Sequence, residues 1–286
     1  MIAFAQISKV RLEYFPHGHG PDRVVFIHGF QASARIWRMT QEALPADRYT
    51  SIAINNRGAG ASDAPADERD YSVEIFANDA FELAEQLGWS DFTLVGHSLG
   101  GATAAQFAVD HPGSLKGLVL LDPADPDGRT LPAGTDLDAL IDRQMAGLRS
   151  SAGGGSSDDQ VAGVGASGVD VPADLLRALA TDIRAAPEQR LRGSLRSMLT
   201  IRIGDRVKDL TMPVLLAGGD ADALIPAKVM LATWAKLPPG SGLHFWHGIG
   251  HSPNLDCPAD LAALLQRFIE VTMPARRTSA QAATIA

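Results

Sequence analysis

The chain has 286 residues, of which 45% are hydrophobic and 20% charged, with 25 basic and 33 acidic side chains and a net charge of −8. This apolar content supports a sizeable core and excludes global disorder, while the negative charge argues against nucleic acid as a partner. A single cysteine, Cys257, excludes an internal disulfide framework and a thiolate metal cluster. Neither a signal peptide nor a membrane-spanning apolar run is evident, so we expect a cytoplasmic protein with no membrane association.

Short apolar runs predict the strands of a mostly parallel sheet. Residues 10–14 alternate as in a half-buried edge strand, and residues 16–22 are typical of a turn. Continuous apolar runs, typical of strands buried on both faces, occur at 24–27, 51–54, 92–95, 118–121, 214–217 and, more weakly, 243–246. Helical spacing lies between them, at 73–87, 98–109, 227–237 and 258–271. This alternation predicts an α/β fold with a mostly parallel central sheet flanked by helices.

The alternation of strands and helices stops between residues 125 and 209. Two or three helical patterns occur there, one starting near Pro172 with Asp170 as a cap, and one running from Glu188. They surround a Gly/Ser-rich stretch at 150–168, which we interpret as a mobile loop. We therefore predict a core formed by residues 1–124 and 210–273, a helical cap inserted at 125–209, and a flexible tail at 274–286. The oligomeric state is not predicted.

The most informative stretch is the Gly-x-Ser-x-Gly pattern at residues 96–100. A predicted buried strand runs into it, and an Ala-rich helix follows. A sharp strand-to-helix turn projects its serine above the sheet, and the helix N-terminus favours negative charge beside that serine. The pattern predicts Ser98 as a nucleophile. The alternative is a glycine-padded helix start in which Ser98 is only the N-cap.

A serine hydroxyl needs a base, and the base needs an orienting carboxylate. His251 lies in a glycine-framed loop after the last predicted strand, at the sheet edge where ligands of open α/β folds gather. It is the predicted base; the alternative is a histidine that caps the final helix. Asp220 and Asp222 both follow one buried strand and Asp122 follows another, so spacing leaves the acid open among the three.

Two main-chain amides complete the predicted site. The His28-Gly29-Phe30 segment ends the first clearly buried strand, which directs the amide of Phe30 toward Ser98, and Leu99 supplies a second amide. Together they predict an oxyanion hole. For the His28 side chain we favour a structural role, bonding neighbouring backbone.

These motifs resemble those of the α/β-hydrolase superfamily over most of the chain. The matching segments are the oxyanion segment at 28–30 with Trp37 downstream, the arginine-glycine turn at 55–62, the nucleophile elbow at 96–101, the acid loop at 219–226 and the histidine loop at 250–253. The resemblance implies a triad of Ser98, Asp222 and His251, and so selects Asp222 among the open carboxylates. It also implies that no metal or organic cofactor is needed. Asn55 departs from the usual Asp of the arginine turn.

The resemblance and the serine together predict a hydrolase that cleaves a small-molecule carboxylic ester or lactone through an acyl-enzyme. Because Ser98 stands where haloalkane dehalogenases and epoxide hydrolases carry Asp, those chemistries are disfavoured. A C–C bond hydrolase, a perhydrolase, an acyltransferase and a non-catalytic ligand-binding homologue stay open as alternatives. Candidates for the substrate pocket are Trp37, Leu195, Met198 and Leu199. Arg192 and Arg196, four apart on one helix, are candidates for binding a carboxylate or phosphate, although a solvated face is the simpler interpretation.

Overall fold

The computed structural model describes residues 2–154 and 170–272. Eight strands form one sheet in the order β1-β2-β4-β3-β5-β6-β7-β8. Their bounds are Ala3–Gln6 (β1), Arg11–Gly18 (β2), Asp22–Ile27 (β3), Tyr49–Ile54 (β4), Phe92–His97 (β5), Leu115–Leu121 (β6), Val214–Gly219 (β7) and Gly242–Trp246 (β8). β2 pairs antiparallel with β1 and β4, and all other neighbours pair in parallel. The predicted α/β fold with a mostly parallel sheet is confirmed.

The N-terminal strands differ from the prediction. Residues 11–14 belong to β2, which has a partner on each side, so the edge strand on this side of the sheet is β1, where no strand was predicted. β2 also runs on to Gly18, which leaves only a short turn before β3. An alternating pattern shows that one face of a strand is buried, but it does not show how many neighbours the strand has.

Helices cover both faces of the sheet. The α-helices of the core are Arg38–Ala43 (α1), Val73–Gln86 (α2), Leu99–Asp110 (α3), Ala227–Trp234 (α8), Pro253–Asp256 (α9) and Pro258–Thr272 (α10). Short 3-10 helices occupy Ala34–Trp37, Glu68–Asp70 and Pro112–Ser114. Successive side chains of β3 point to opposite faces, so Val25 and Ile27 join the core under α2 and α3, whereas Val24 and Phe26 join the core under α10.

The segment predicted as a cap is helical where the structure describes it. It contains Leu137–Gly154 (α4), Ala173–Ala185 (α5), Glu188–Thr200 (α6) and Gly204–Val207 (α7). Ile141 and Met145 of α4 pack against Leu195 and Leu199 of α6. α5 begins directly after Pro172, so Asp170 is not its cap. Across the described ranges, none of the helices combines the length and apolarity needed to cross a bilayer.

The Gly/Ser-rich stretch at 150–168 was predicted to be a loop, and its first residues are helical instead. α4 continues to Gly154, because extending a helix already anchored by packing costs less than starting one. The remainder of that stretch, like the predicted tail at 274–286, lies outside the described residues.

The strand register brings the predicted site residues to one edge. Ile27 of β3 lies level with Gly96 of β5, and Leu121 of β6 lies level with Ala217 of β7. Because these strands are parallel, the loops that follow them leave the sheet on the same side. Those loops carry Phe30, Ser98, Asp122, Asp222 and, after β8, His251.

Candidate active site

Ser98 occupies a strained turn between β5 and α3. Its backbone has φ +56° and ψ −118°, a conformation that few residues other than glycine adopt. Its amide donates to the Leu121 carbonyl at 3.0 Å, which holds the turn against β6. The flanking glycines are required, since a Cβ on Gly96 would lie 2.0 Å from the Gly100 carbonyl oxygen, and one on Gly100 would lie 2.4 Å from that of Ile27.

We expect Gly100→Ala to destabilise the protein by about 3 kcal/mol or more, because the added methyl group meets main-chain atoms that cannot move aside. Gly113→Ala is the matched control, since a Cβ there has no neighbour within 4 Å. Its expected effect is about 0.5 kcal/mol or less. Urea unfolding of both variants checks the prediction, and equal midpoints would contradict it.

His251 and Asp222 form a close, mostly buried pair. His251 Nδ1 lies 2.6 Å from Asp222 Oδ2, and the Asp222 side chain is fully buried. The other carboxylate oxygen accepts the amides of Leu224 at 2.7 Å and Ile225 at 3.0 Å. Burial alone raises the pKa of Asp222, but the hydrogen bonds from His251 and the two amides outweigh it and lower that pKa. The result is a charged carboxylate beside the imidazole.

Asp220, the nearest alternative acid in the sequence, has a different partner. Its Oδ2 lies 2.8 Å from Nδ1 of His247, whose side chain is fully exposed, and its Oδ1 accepts the Gly248 amide at 2.7 Å. The hydrogen bond from His247 lowers the pKa of Asp220. Of the two carboxylates in this loop, only Asp222 is bonded to the His251 ring.

His97, which the sequence analysis did not single out, links the nucleophile turn to the histidine loop. Its Nε2 lies 2.6 Å from the His251 carbonyl oxygen and donates to it, and the two imidazole centroids are 4.8 Å apart. Burial and then the nearby His251 lower the pKa of His97 to about 3, so the ring is neutral. Within the described part of the chain the Ser98 hydroxyl takes part in no hydrogen bond. His97 therefore holds the His251 loop beside the turn that carries Ser98.

The predicted oxyanion segment lies against Ser98. A Cβ on Gly29 would be 3.0 Å from Cβ of Ser98, so the backbone of Gly29 lies close to Ser98. Phe30 is the next residue in the chain. As far as the chain is described, the amides of Phe30 and Leu99 donate no hydrogen bond. His28 Nδ1 donates to the Gly29 carbonyl at 2.8 Å, and its Nε2 accepts the Asn56 amide at 3.2 Å. Burial lowers the pKa of His28 to about 3, so the ring is neutral, and both of its nitrogens bond main-chain groups, which favours a structural role.

A buried arginine connects the segment predicted as a cap to the loop that follows β3. Arg190 of α6 donates to the carbonyls of Ala32 at 2.8 Å and Gly58 at 3.4 Å, and the residue is only 2% exposed. Burial lowers the pKa of Arg190 to about 10, against the weaker influence of Tyr71 and Asp182. The sequence signals only that this helix is rich in arginine. It does not show which arginine turns inward.

Arg192 and Arg196 already have carboxylate partners. Both bind Glu68, at 3.1 and 2.8 Å, while Arg192 also binds Asp142 and Arg196 also binds Asp138. These ion pairs join α6 to α4 and to the 3-10 helix Glu68–Asp70. They favour a structural role for the two arginines over reception of a substrate anion.

Asn55 replaces the usual Asp of the arginine turn for a local reason. Its Oδ1 accepts the Ala34 amide at 2.6 Å, and its Nδ2 donates to Glu13 Oε2 at 2.6 Å. Glu13 is buried, so an Asp at position 55 would place two carboxylates together without a donor between them. The departure concerns hydrogen bonding of the turn and leaves the groups around Ser98 unchanged.

The four pocket candidates separate into two groups. Leu195, Met198 and Leu199 belong to the apolar cluster between α4 and α6, which also contacts Phe30. Trp37 instead lies in the core with no exposed surface, packed on Phe26 and with its ring centroid 6.4 Å from that of His97. Leu195, Met198 and Leu199 are therefore next to Phe30, whereas Trp37 lies beside His97, in the core.

Cys257 lies between α9 and α10 and is half-buried. Burial, with the carboxylates of Asp260 and Asp256, raises the pKa of its thiol to about 12. A higher thiol pKa leaves less thiolate at neutral pH, so we expect iodoacetamide to alkylate the native protein at least about 100-fold more slowly than free cysteine. Mass spectrometry of timed samples measures this rate. Unfolding in guanidinium should restore fast alkylation, and fast alkylation of the native protein would contradict the prediction.

Comparisons with known proteins agree with the sheet topology. A family profile described as the alpha/beta hydrolase fold matches residues 22–258. The chain belongs to the α/β-hydrolase family. The resemblance found in the sequence is thereby confirmed. The broader prediction, that the chain belongs to a family of hydrolases, is confirmed with it.

Two relatives and one solved structure show what this chain is similar to. An uncharacterised protein of Mycobacterium tuberculosis is 29% identical, over 96% of this chain and 82% of its own. A 2-(acetamidomethylene)succinate hydrolase of Mesorhizobium japonicum is also 29% identical, over 92% of this chain and 93% of its own. The solved structure of a thermophilic esterase from Thermogutta terrifontis superposes with a TM-score of 0.78, at 21% identity, over 95% of this chain and 99% of that one. The last likeness is one of fold.

Proposed function

We propose that this α/β-hydrolase is a serine hydrolase of carboxylic esters or lactones, with Ser98 as nucleophile, His251 as base and Asp222 as orienting acid. The observation that carries the proposal is the 2.6 Å contact between His251 Nδ1 and a buried Asp222, at the sheet edge where Ser98 occupies its strained turn. A bond from Nδ1 to the acid leaves Nε2 as the ring nitrogen available to a serine proton. Bonds between serine and histidine are often long in free enzymes and shorten when substrate binds.

In the first half-reaction His251 Nε2 takes the proton of Ser98 as the Oγ attacks the carbonyl carbon. The amides of Phe30 and Leu99 bind the oxyanion that forms, and Asp222 stabilises the imidazolium. The intermediate then expels the alcohol, which takes the proton from His251, and an acyl-enzyme is left. A water molecule deprotonated by His251 next attacks the acyl carbon, and Ser98 recovers its proton as the acid leaves.

The identity of the nucleophile favours acyl substrates over alkyl halides and epoxides. A carboxylate that attacks an alkyl carbon forms an ester, which water can hydrolyse at its carbonyl. A serine that attacks the same carbon would form an ether, which has no carbonyl for water to attack. Ser98 therefore suits substrates that already contain a carbonyl group. The apolar residues Leu195, Met198 and Leu199 beside Phe30 are our proposed contacts for an apolar part of the substrate.

The test combines a substrate screen with active-site labelling. Hydrolysis rates are measured for p-nitrophenyl esters of graded acyl length and for several lactones, and a fluorophosphonate probe is titrated against the enzyme. We expect turnover of at least one series and one probe bound per chain, on Ser98. Labelling without ester or lactone hydrolysis, but with acyl transfer to hydrogen peroxide or an alcohol, would favour the perhydrolase or acyltransferase alternative. The absence of both labelling and turnover would favour a binding protein.

A further inference from the structure

Asp122 lies behind the His251–Asp222 pair and takes part in none of the steps above. It follows β6 in a left-handed conformation with φ +40°, and it has no exposed surface. Its Oδ1 accepts the Gly219 amide at 3.0 Å. Its Oδ2 is buried, and no donor among the described residues reaches it. A buried oxygen of this kind is costly to leave unpaired, which indicates that it carries a proton and acts as a donor.

The acceptor for that proton is close by. One oxygen of Asp122, one oxygen of Asp222 and one ring nitrogen of His251 all lie within 4.8 Å of one another. Burial, followed by the charge of Asp222, raises the pKa of Asp122 well above its ordinary range, and Asp256 acts in the same direction. The Gly219 amide is the group that opposes them. Two carboxylates this close and this deeply buried do not both ionise.

We infer that Asp122 is a positioning residue: it stays protonated and donates its carboxyl O–H to Asp222, which fixes that carboxylate toward His251. This inference rests on the proposed triad. Asp222 then receives donors from the Leu224 and Ile225 amides, from His251 and from Asp122, which matches the roughly four lone-pair sites of a carboxylate. The proton stays on Asp122 throughout the reaction.

A neutral Asp122 also limits the negative charge close to the His251 ring. When His251 takes the serine proton, one negative charge faces it rather than two. A second ionised carboxylate would hold a proton on the imidazole before the serine is attacked, and His251 would then no longer act as a base.

Two variants test the inference. In Asp122→Asn the amide nitrogen keeps a donor for Asp222, the amide oxygen keeps an acceptor for the Gly219 amide, and asparagine tolerates positive φ. We expect kcat of this variant to stay within about two-fold of wild type. Asp122→Ala lacks the donor, and we expect kcat to fall about ten-fold. Equal losses in both variants, or no loss in Asp122→Ala, would overturn the inference.

A spectroscopic measurement tests the proton without relying on turnover. The infrared difference spectrum of wild type minus Asp122→Asn, recorded near neutral pH, should contain the carbonyl band of a protonated carboxylic acid. A difference spectrum with carboxylate bands alone would overturn the inference even if the enzyme is active. If the band is present but no ester or lactone is hydrolysed, the proposed function fails and the protonated Asp122 stands. Loss of activity with EDTA and its return with Zn²⁺ would instead indicate a metal held by these three residues.

Discussion

Ser98→Ala should lower kcat for the best ester of the screen by on the order of 10⁴-fold or more. The substitution removes the atom that we propose attacks the carbonyl, while the amides of Phe30 and Leu99 and the binding surface are left in place. The strained turn is held by Gly96 and Gly100 and by the Ser98 amide, none of which the substitution removes. Steady-state kinetics measure kcat, and the fluorophosphonate probe should no longer label the protein.

The fold of Ser98→Ala is the control for that result. Removal of the Ser98 hydroxyl should change the free energy of unfolding by no more than about 1 kcal/mol. A variant that is folded and inactive supports the nucleophile assignment. A variant that is folded and retains wild-type turnover would show that another residue attacks the substrate.

Asp222→Asn should lower kcat by about 10³- to 10⁴-fold. The asparagine fills the same space, but it can turn its amide nitrogen toward His251 Nδ1 and so stabilise the tautomer that carries its proton on Nε2. A histidine in that tautomer cannot take the serine proton. The loss should appear in kcat more than in KM, because Asp222 is buried and its carboxylate is already occupied by His251 and two main-chain amides.

The chain supplies a matched control for Asp222→Asn. Asp220 also accepts a hydrogen bond from a histidine, and it lies only two positions away, but its partner His247 is fully exposed. We therefore expect Asp220→Asn to retain kcat within about three-fold of wild type, since solvent screens that pair. If Asp220→Asn were the more damaging of the two changes, our choice of acid would be wrong.

The fold and the turn at Ser98 were predictable because their signals are local. Parallel strands buried on both faces produce continuous apolar runs, and those runs located six of the eight strands. A strand, a glycine-flanked serine and a helix are consecutive in the chain, so the turn at Ser98 is visible without knowledge of any distant contact. The edge strand β1 was missed since its four residues bury only one face in part, which leaves a weak pattern.

The relations among the site residues depend on distant parts of the chain. Residue spacing alone did not choose among Asp122, Asp220 and Asp222; the resemblance to a family selected Asp222, and the structure then places only this loop carboxylate on His251. The bond from His97 to the His251 carbonyl joins residues 154 apart, and that of Arg190 to Ala32 joins residues 158 apart. No local pattern encodes such contacts.

The amino-acid sequence by itself determined the sheet, the strained serine and the set of loops that meet at one edge, because backbone propensity and alternating burial act over neighbouring residues. Only the tertiary structure decided which arginine turns inward, that Asp220 pairs with His247, and that the carboxyl of Asp122 lies buried close to that of Asp222. Those outcomes depend on side-chain direction and desolvation, and both arise only after β6, β7 and the histidine loop have packed together.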